Sequence, residues 1–277
     1  MNRLHLAFVV LLSMGLMFAG CESDDNGTTD PGTTQDPGTP SDPGEGDVPV
    51  VEKVTFKAQV QDNLSKQPKE GALVTVMDND TGEATTMTAT ADADGMVEFE
   101  LDKGKMYGFK SALADNKDTY VWNIPSELPT GVEYEIIWIL SETGFGMAAA
   151  LAGFEPDPAK AIIAGALYWV NDAGEEEYVT CGTIKTDPEG EYRYFAENTG
   201  LPAPLESVTS TGGDKAEGRY VAGNVPAGKV TLSGYNKAGD VEWATLTLWT
   251  KADSVCISNL YVDKVQFPAN PSPATCE

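Results

Sequence analysis

From residue 50 onward the chain is a series of short runs rich in β-branched and aromatic residues, each closed by a turn signal within about 8–12 residues. That spacing limits the fold more than any other feature. Val50–Val60 contains period-two stretches; Gly71–Met77 follows, then the turn Asp78-Asn79-Asp80-Thr81-Gly82. Thr85–Thr90 is a threonine-rich run of edge-strand character, and Asp92-Ala93-Asp94-Gly95 reads as a hairpin turn before Met96–Leu101. Gly104 marks another turn, and Lys105–Ala112, Thr119–Ile124 and Glu133–Leu140 complete the set. No long 3.6-residue period competes with this pattern, so residues 50–141 are predicted to form a small antiparallel β-sandwich.

Residues 142–160 interrupt the pattern. Phe145–Phe154 is rich in Ala, Leu and Met and predicts a short connector helix between domains, stopped by Pro156 and Pro158 and too short to cross a bilayer. The β pattern then restarts at Ala161–Val170, with a turn at Asn171-Asp172-Ala173-Gly174. It continues through Val179–Ile184, Glu191–Ala196, Gly218–Tyr235, Val241–Trp249 and Ser254–Val262. Residues 161–265 therefore read as a second sandwich, a diverged repeat, with a Pro-rich tail at 266–277. Glu197–Glu217, carrying Pro202, Pro204, Gly212 and Gly213, reads as an expanded loop. The expected class is all-β.

The start of the chain has a different character. Arg3 precedes the apolar run Leu4–Met17, which has signal-peptide rather than membrane-spanning length. Phe18-Ala19-Gly20-Cys21 resembles a bacterial lipobox, although Phe18 stands where that family usually has Leu. The resemblance implies that residues 1–20 are removed and that Cys21 becomes an acylated N-terminus holding the protein at a membrane. Residues 21–49 are almost devoid of apolar side chains. Asp-Pro-Gly recurs at Asp30, Asp36 and Asp42, so the segment reads as a disordered spacer reaching roughly 60–80 Å. Glu22-Ser23-Asp24-Asp25 resembles the acidic tags that send some lipoproteins to the outer face of the cell, though plain linker composition explains it equally well. Glu22 rather than Asp after the cysteine implies an outer-membrane lipoprotein, facing the periplasm or the exterior.

Charge and residue usage exclude several chemistries. Without the leader, 17 basic residues stand against 43 acidic ones, a balance of −26 that repels phosphate backbones and argues against nucleic acid as a partner. The single histidine, His5, lies in the leader, so the mature chain lacks the imidazole of His-dependent nucleophile triads and His-ligated metal sites. No cofactor fingerprint is present, and no metal site is expected. The acids of Asp78-Asn79-Asp80 and Asp92-Ala93-Asp94 lack the remaining spacing of a calcium loop and are better explained as turn residues. With Cys21 acylated, Cys181, Cys256 and Cys276 allow three pairings. Cys181 and Cys256 each sit in a strand-like run and are the favoured pair, closing a loop of about 75 residues for about 3–4 kcal/mol, with Cys276 left over.

Gly71-Ala72-x-Val74-x-Val76, Asp80-Thr81-Gly82 and Thr90 to Gly95 run on to Phe99, Leu101 and Gly104-x-x-Tyr107. In this order they resemble the carboxypeptidase regulatory-like domain. The resemblance covers roughly Val50–Trp122 and implies a seven-strand, transthyretin-like sandwich, related to carbohydrate-binding-like folds, in an accessory role without catalysis. Gly218–Tyr235 resembles the same family's central hairpin.

Two further constellations stand out in the sequence. Trp243 and Trp249 are six apart in one run, so period two puts both on one face and Leu246 and Leu248 on the other. They form either a ligand platform for sugar rings or core packing. Lys57 and Asn123 invite comparison with the Lys–Asn isopeptide bonds of adhesin sandwiches, but Lys105–Ala112 lacks the acid such a bond needs. The functional expectation is a non-enzymatic, lipid-anchored envelope protein whose two sandwiches bind or scaffold an envelope or surface protein. The alternative is a polysaccharide binder using the aromatics of the second sandwich.

Overall fold

A computed structural model describes residues 51–171, 174–195, 211 and 218–262. The leader, Cys21, the spacer, most of the loop at 197–217 and the tail with Cys276 lie outside the described residues. The first half runs β1 (Lys53–Asp62), β2 (Leu73–Asp78), β3 (Ala84–Thr90), β4 (Met96–Asp102), β5 (Met106–Ala112), β6 (Asn116–Lys117), β7 (Thr119–Pro125) and β8 (Glu135–Ser141). A sheet ordered β4-β1-β8-β6 faces the strands β7-β5-β2-β3. Alternation in β1 turns Phe56, Ala58 and Val60 inward, where Phe56 stacks on Phe109 at 4.9 Å between ring centroids. Fully burying a valine or phenylalanine side chain in this way contributes about 1.5–3 kcal/mol. The threonine-rich β3 lies at the sheet edge, as its composition predicts.

The connector is helical, α1 (Glu142–Ala152). It begins earlier than the apolar run suggests because the Ser141 hydroxyl accepts the Gly144 N–H at 3.1 Å, and it ends where Gly153 turns left-handed. Its Ala149 and Ala152, with Phe154 just beyond, cover Ile162 and Val221 of the second half.

The second half comprises β9 (Lys160–Val170), β10 (Glu176–Tyr178), β11 (Gly182–Asp187), β12 (Glu191–Tyr194) and β13 (Arg219–Pro226). β14 (Gly228–Asn236), β15 (Glu242–Thr250), β16 (Ser254–Ile257) and β17 (Leu260–Tyr261) follow. A three-stranded sheet, β11-β14-β15, packs against the layer β12-β13-β9-β16. The protein is thus an all-β assembly of sandwiches.

The sheets are mixed rather than wholly antiparallel, because β1 and β8 pair in parallel and β16 and β17 run parallel to their neighbours. β16 is hydrogen-bonded to β7 of the first half on one side and to β9 of the second on the other, so one ten-stranded sheet runs through both halves. This seam explains β7, where Thr119, Tyr120, Val121 and Trp122 are all buried. Val121 enters the first core, while Tyr120 and Trp122 join Leu248, Cys256 and Leu260 in the second.

Gly165 marks the tightest point of the seam. Between β16 and β17 the chain swings so close that a Cβ on Gly165 would lie 1.7 Å from the Ser258 carbonyl oxygen. That carbonyl accepts the Tyr220 hydroxyl at 2.7 Å, and Asn259 Oδ1 accepts the Ala166 N–H at 3.1 Å.

Candidate functional site

Four segments distant in sequence meet beside the seam and enclose a cleft of about 330 Å³: the end of β7, the start of β8, the middle of β15 and the chain from β16 into β17. Its walls include Trp122, Asn123, Glu135, Trp138, Asn259 and Tyr261. Asn123 is a fixed part of the wall. It takes a left-handed backbone, its Nδ2 donates to Thr247 O at 3.0 Å, and its N–H donates to Asn79 Oδ1 at 3.0 Å.

Among the described residues, Glu135 is the one carboxylate in that wall. It opens a strand that is otherwise apolar through Leu140, and the half-buried position pushes its carboxyl up to about 7. Burial is the main cause; the N–H of Ile136 opposes it and the negative charge of Glu176 adds to it.

Beside Glu135 the cleft meets the end of an aromatic row. β10, β9 and β17 are neighbours in register, which lines up Tyr178, Tyr168 and Tyr261 on one face. Their centroids lie 4.8 and 5.8 Å apart with the rings stacked. The Tyr261 hydroxyl donates to Glu176 Oε1 at 2.9 Å. The Lys66 ammonium, outside the lining of the cleft, lies 4.1 Å from the ring centre of Trp138.

The residues singled out in the sequence lie elsewhere. Trp249 is half-buried against the second core, and its indole covers Gly82 so closely that a Cβ there would lie 2.3 Å from the ring. The indole N–H donates to Asn79 O at 3.2 Å, so Trp249 clasps the first half's turn. Trp243 is half-buried against the same core, near Gly182. Both indoles are thus engaged in packing contacts. Lys57 pairs with Glu98 at 3.6 Å on the surface, well apart in role from the hydrogen-bonded Asn123.

The expected Cys181–Cys256 bridge is corrected. Cys181 is in a disulfide, but Cys256 is a free thiol and fully buried, and the remaining cysteines lie outside the described residues. Cys256 sits in the middle of β16, between Tyr120 and Ile163 on the flanking strands, where it acts as a small core side chain. Burial pushes its thiol well above the ordinary range, with the Trp122 indole offsetting a little of that. Cys256 is accordingly expected to resist maleimide in the folded protein and to react fully in guanidinium, as peptide mapping would show. Rapid labelling without denaturant would contradict the buried seam.

The paired acids of the turns act as turn residues. Asp78 Oδ1 accepts the N–H groups of Asp80 and Thr81 at 3.0 and 2.8 Å, and Asp92 Oδ1 accepts those of Asp94 and Met96 at 3.0 and 2.8 Å. The Thr81 N–H is the main reason that the Asp78 carboxyl titrates below its usual range.

No family model matches the chain, and no curated protein matches it significantly. Among solved structures it is similar to the TIE protein of Bacillus anthracis, with 13% identity and a TM-score of 0.26 over 76% of this chain and 34% of that one. The chain thus spans about a third of that protein. It is also similar to a minor pilin of Streptococcus agalactiae, with 10% identity and a TM-score of 0.23 over 76% and 96% of the two chains. The major pilin subunit of Bacillus cereus gives 7% identity and a TM-score of 0.25 over 76% and 100%. No activity or partner is transferred from them.

Proposed function

We propose that the protein is a lipid-anchored, non-catalytic component of the cell envelope, with its β-sandwiches held off an outer membrane to bind or scaffold another macromolecule. The observation that carries this reading is the order of parts: an apolar leader ending in Ala19-Gly20-Cys21, a spacer almost devoid of apolar side chains, and then a β-assembly joined through one sheet. Joining the sandwiches through β16 favours a scaffold, because backbone hydrogen bonds on both sides of a strand resist bending of one half against the other. The partner in this reading is an envelope or surface protein. Polysaccharide binding through Trp243 and Trp249 is the weaker alternative, since both indoles are engaged in packing.

Membrane fractionation and protease treatment of intact cells test the proposal. The wild-type protein is expected in the membrane fraction and the Cys21→Ala variant in the soluble one; unchanged retention of the variant would overturn the anchor. Cleavage in the spacer on intact cells would assign the sandwiches to the exterior, and protection until permeabilisation would assign them to the periplasm.

A further inference from the structure

The seam cleft combines features that no packing role requires. Its single carboxylate, Glu135, meets no lysine or arginine among the described residues, whereas Lys53, Lys69, Lys103, Lys105 and Lys110 all pair with acids. A half-buried acid without a cation is costly to ionise, and a negative neighbour raises that cost. From the elements around it, the titratable groups that bear on Glu135 are Glu176 of β10 and Tyr261 of β17. Neither can neutralise it. Trp122, Trp138 and Tyr261 add ring surface to the same wall. One of these rings already attracts a primary ammonium: Lys66, which is not part of the wall, stands over Trp138.

We propose that this cleft binds a primary ammonium group on a short carbon frame, with Glu135 as its counter-ion and Tyr261 as an aromatic wall. The ligand class follows from what the site lacks. An anion would meet Glu135 and Glu176 in a protein with 25 excess negative charges. A neutral polyol would leave the acid uncompensated. An ammonium supplies the missing charge and gains from ring faces as well. Glu176 is not in the wall and accepts the Tyr261 hydroxyl, so among the described residues no pair of carboxylates faces across the cleft as glycoside hydrolysis requires. The inference rests on the non-catalytic reading above and names the ligand chemistry of one site.

The test uses the full protein in a non-ionic polyoxyethylene detergent, with calorimetric titration of n-butylammonium and its neutral isostere 1-butanol. Glucosamine and glucose form a second pair, which separates an amino-sugar source from a lysine-like one. Butylammonium is expected to bind at least tenfold tighter than butanol. Its affinity should rise by roughly ten- to thirtyfold from pH 5.5 to pH 8, since only the ionised carboxylate pairs with it. Glu135→Gln should abolish that rise, with its fold checked by thermal unfolding. Equal binding of amine and alcohol, an affinity that falls as pH rises, or full retention of binding in Glu135→Gln would each overturn the proposal. Those results would leave the anchored scaffold standing. Conversion of a probe, seen by mass spectrometry, would instead refute the non-catalytic reading.

Discussion

Gly165→Ala is expected to lower the midpoint of thermal unfolding by roughly 6–12 °C, the effect of about 3 kcal/mol in a folded unit of this size. The added methyl group would meet the Ser258 carbonyl oxygen at 1.7 Å and its carbon at 2.7 Å, which are backbone atoms without rotamers to escape into. Relief requires β9 to part from the chain between β16 and β17. Parting them strains the bond from the Tyr220 hydroxyl to Ser258 O, in a place where Tyr220 is fully buried. Because β16 is also a neighbour of β7, the damage should reach the first half. Fluorescence and near-ultraviolet dichroism should therefore lose their signals together in one shifted transition. A midpoint within 2 °C of wild type, measured by calorimetry, would mean that the two segments do not approach as described.

The seam also explains which parts of the molecule were legible in the sequence. Strands of the first half announce themselves because one face of each is wet: β1 and β4 alternate buried and exposed residues almost without fault. In β7 and β16 the alternation vanishes, since both faces are covered, and periodicity no longer says which neighbour does the covering. The parity drawn for Trp243 and Trp249 does not hold along β15, because a register shift at Trp243 breaks the period of two: Trp243 lies near Gly182 against the second core, and Trp249 reaches the first half's turn. The disulfide expectation failed for a related reason. A cysteine in a strand-like run is equally at home as a small apolar residue, and only the strand's central place in the sheet shows that Cys256 is one. The cleft draws on residues near 122, 135, 245 and 260, a convergence that exists only after folding. One local signal pointed to it: an acid opening the run Ile136-Ile137-Trp138-Ile139-Leu140.

Glu135→Gln is expected to stabilise the protein at pH 8 and to leave it almost unchanged near pH 4.5. In the folded chain Glu135 holds its proton up to about pH 7, against an ordinary value of 4.5 in the unfolded chain. Between those two values the native state binds more protons than the unfolded one, so this residue's contribution to stability falls as pH rises across that window and stays low above it. Glutamine keeps the shape of the protonated acid and never ionises, which removes the loss. After allowance for partial exposure, the difference at pH 8 should be about 1–3 kcal/mol, or roughly 2–10 °C in the unfolding midpoint. Other carboxylates also titrate, and Asp78, held below its usual range by the Thr81 N–H, contributes with the opposite sign at lower pH. The decisive quantity is therefore the variant-minus-wild-type difference along a pH series. It should be near zero at pH 4.5, grow through pH 5–7 and level off above. A flat difference would mean that Glu135 is solvated like any surface acid. The strain at the cleft would then be absent, and with it the reason for a cation to enter.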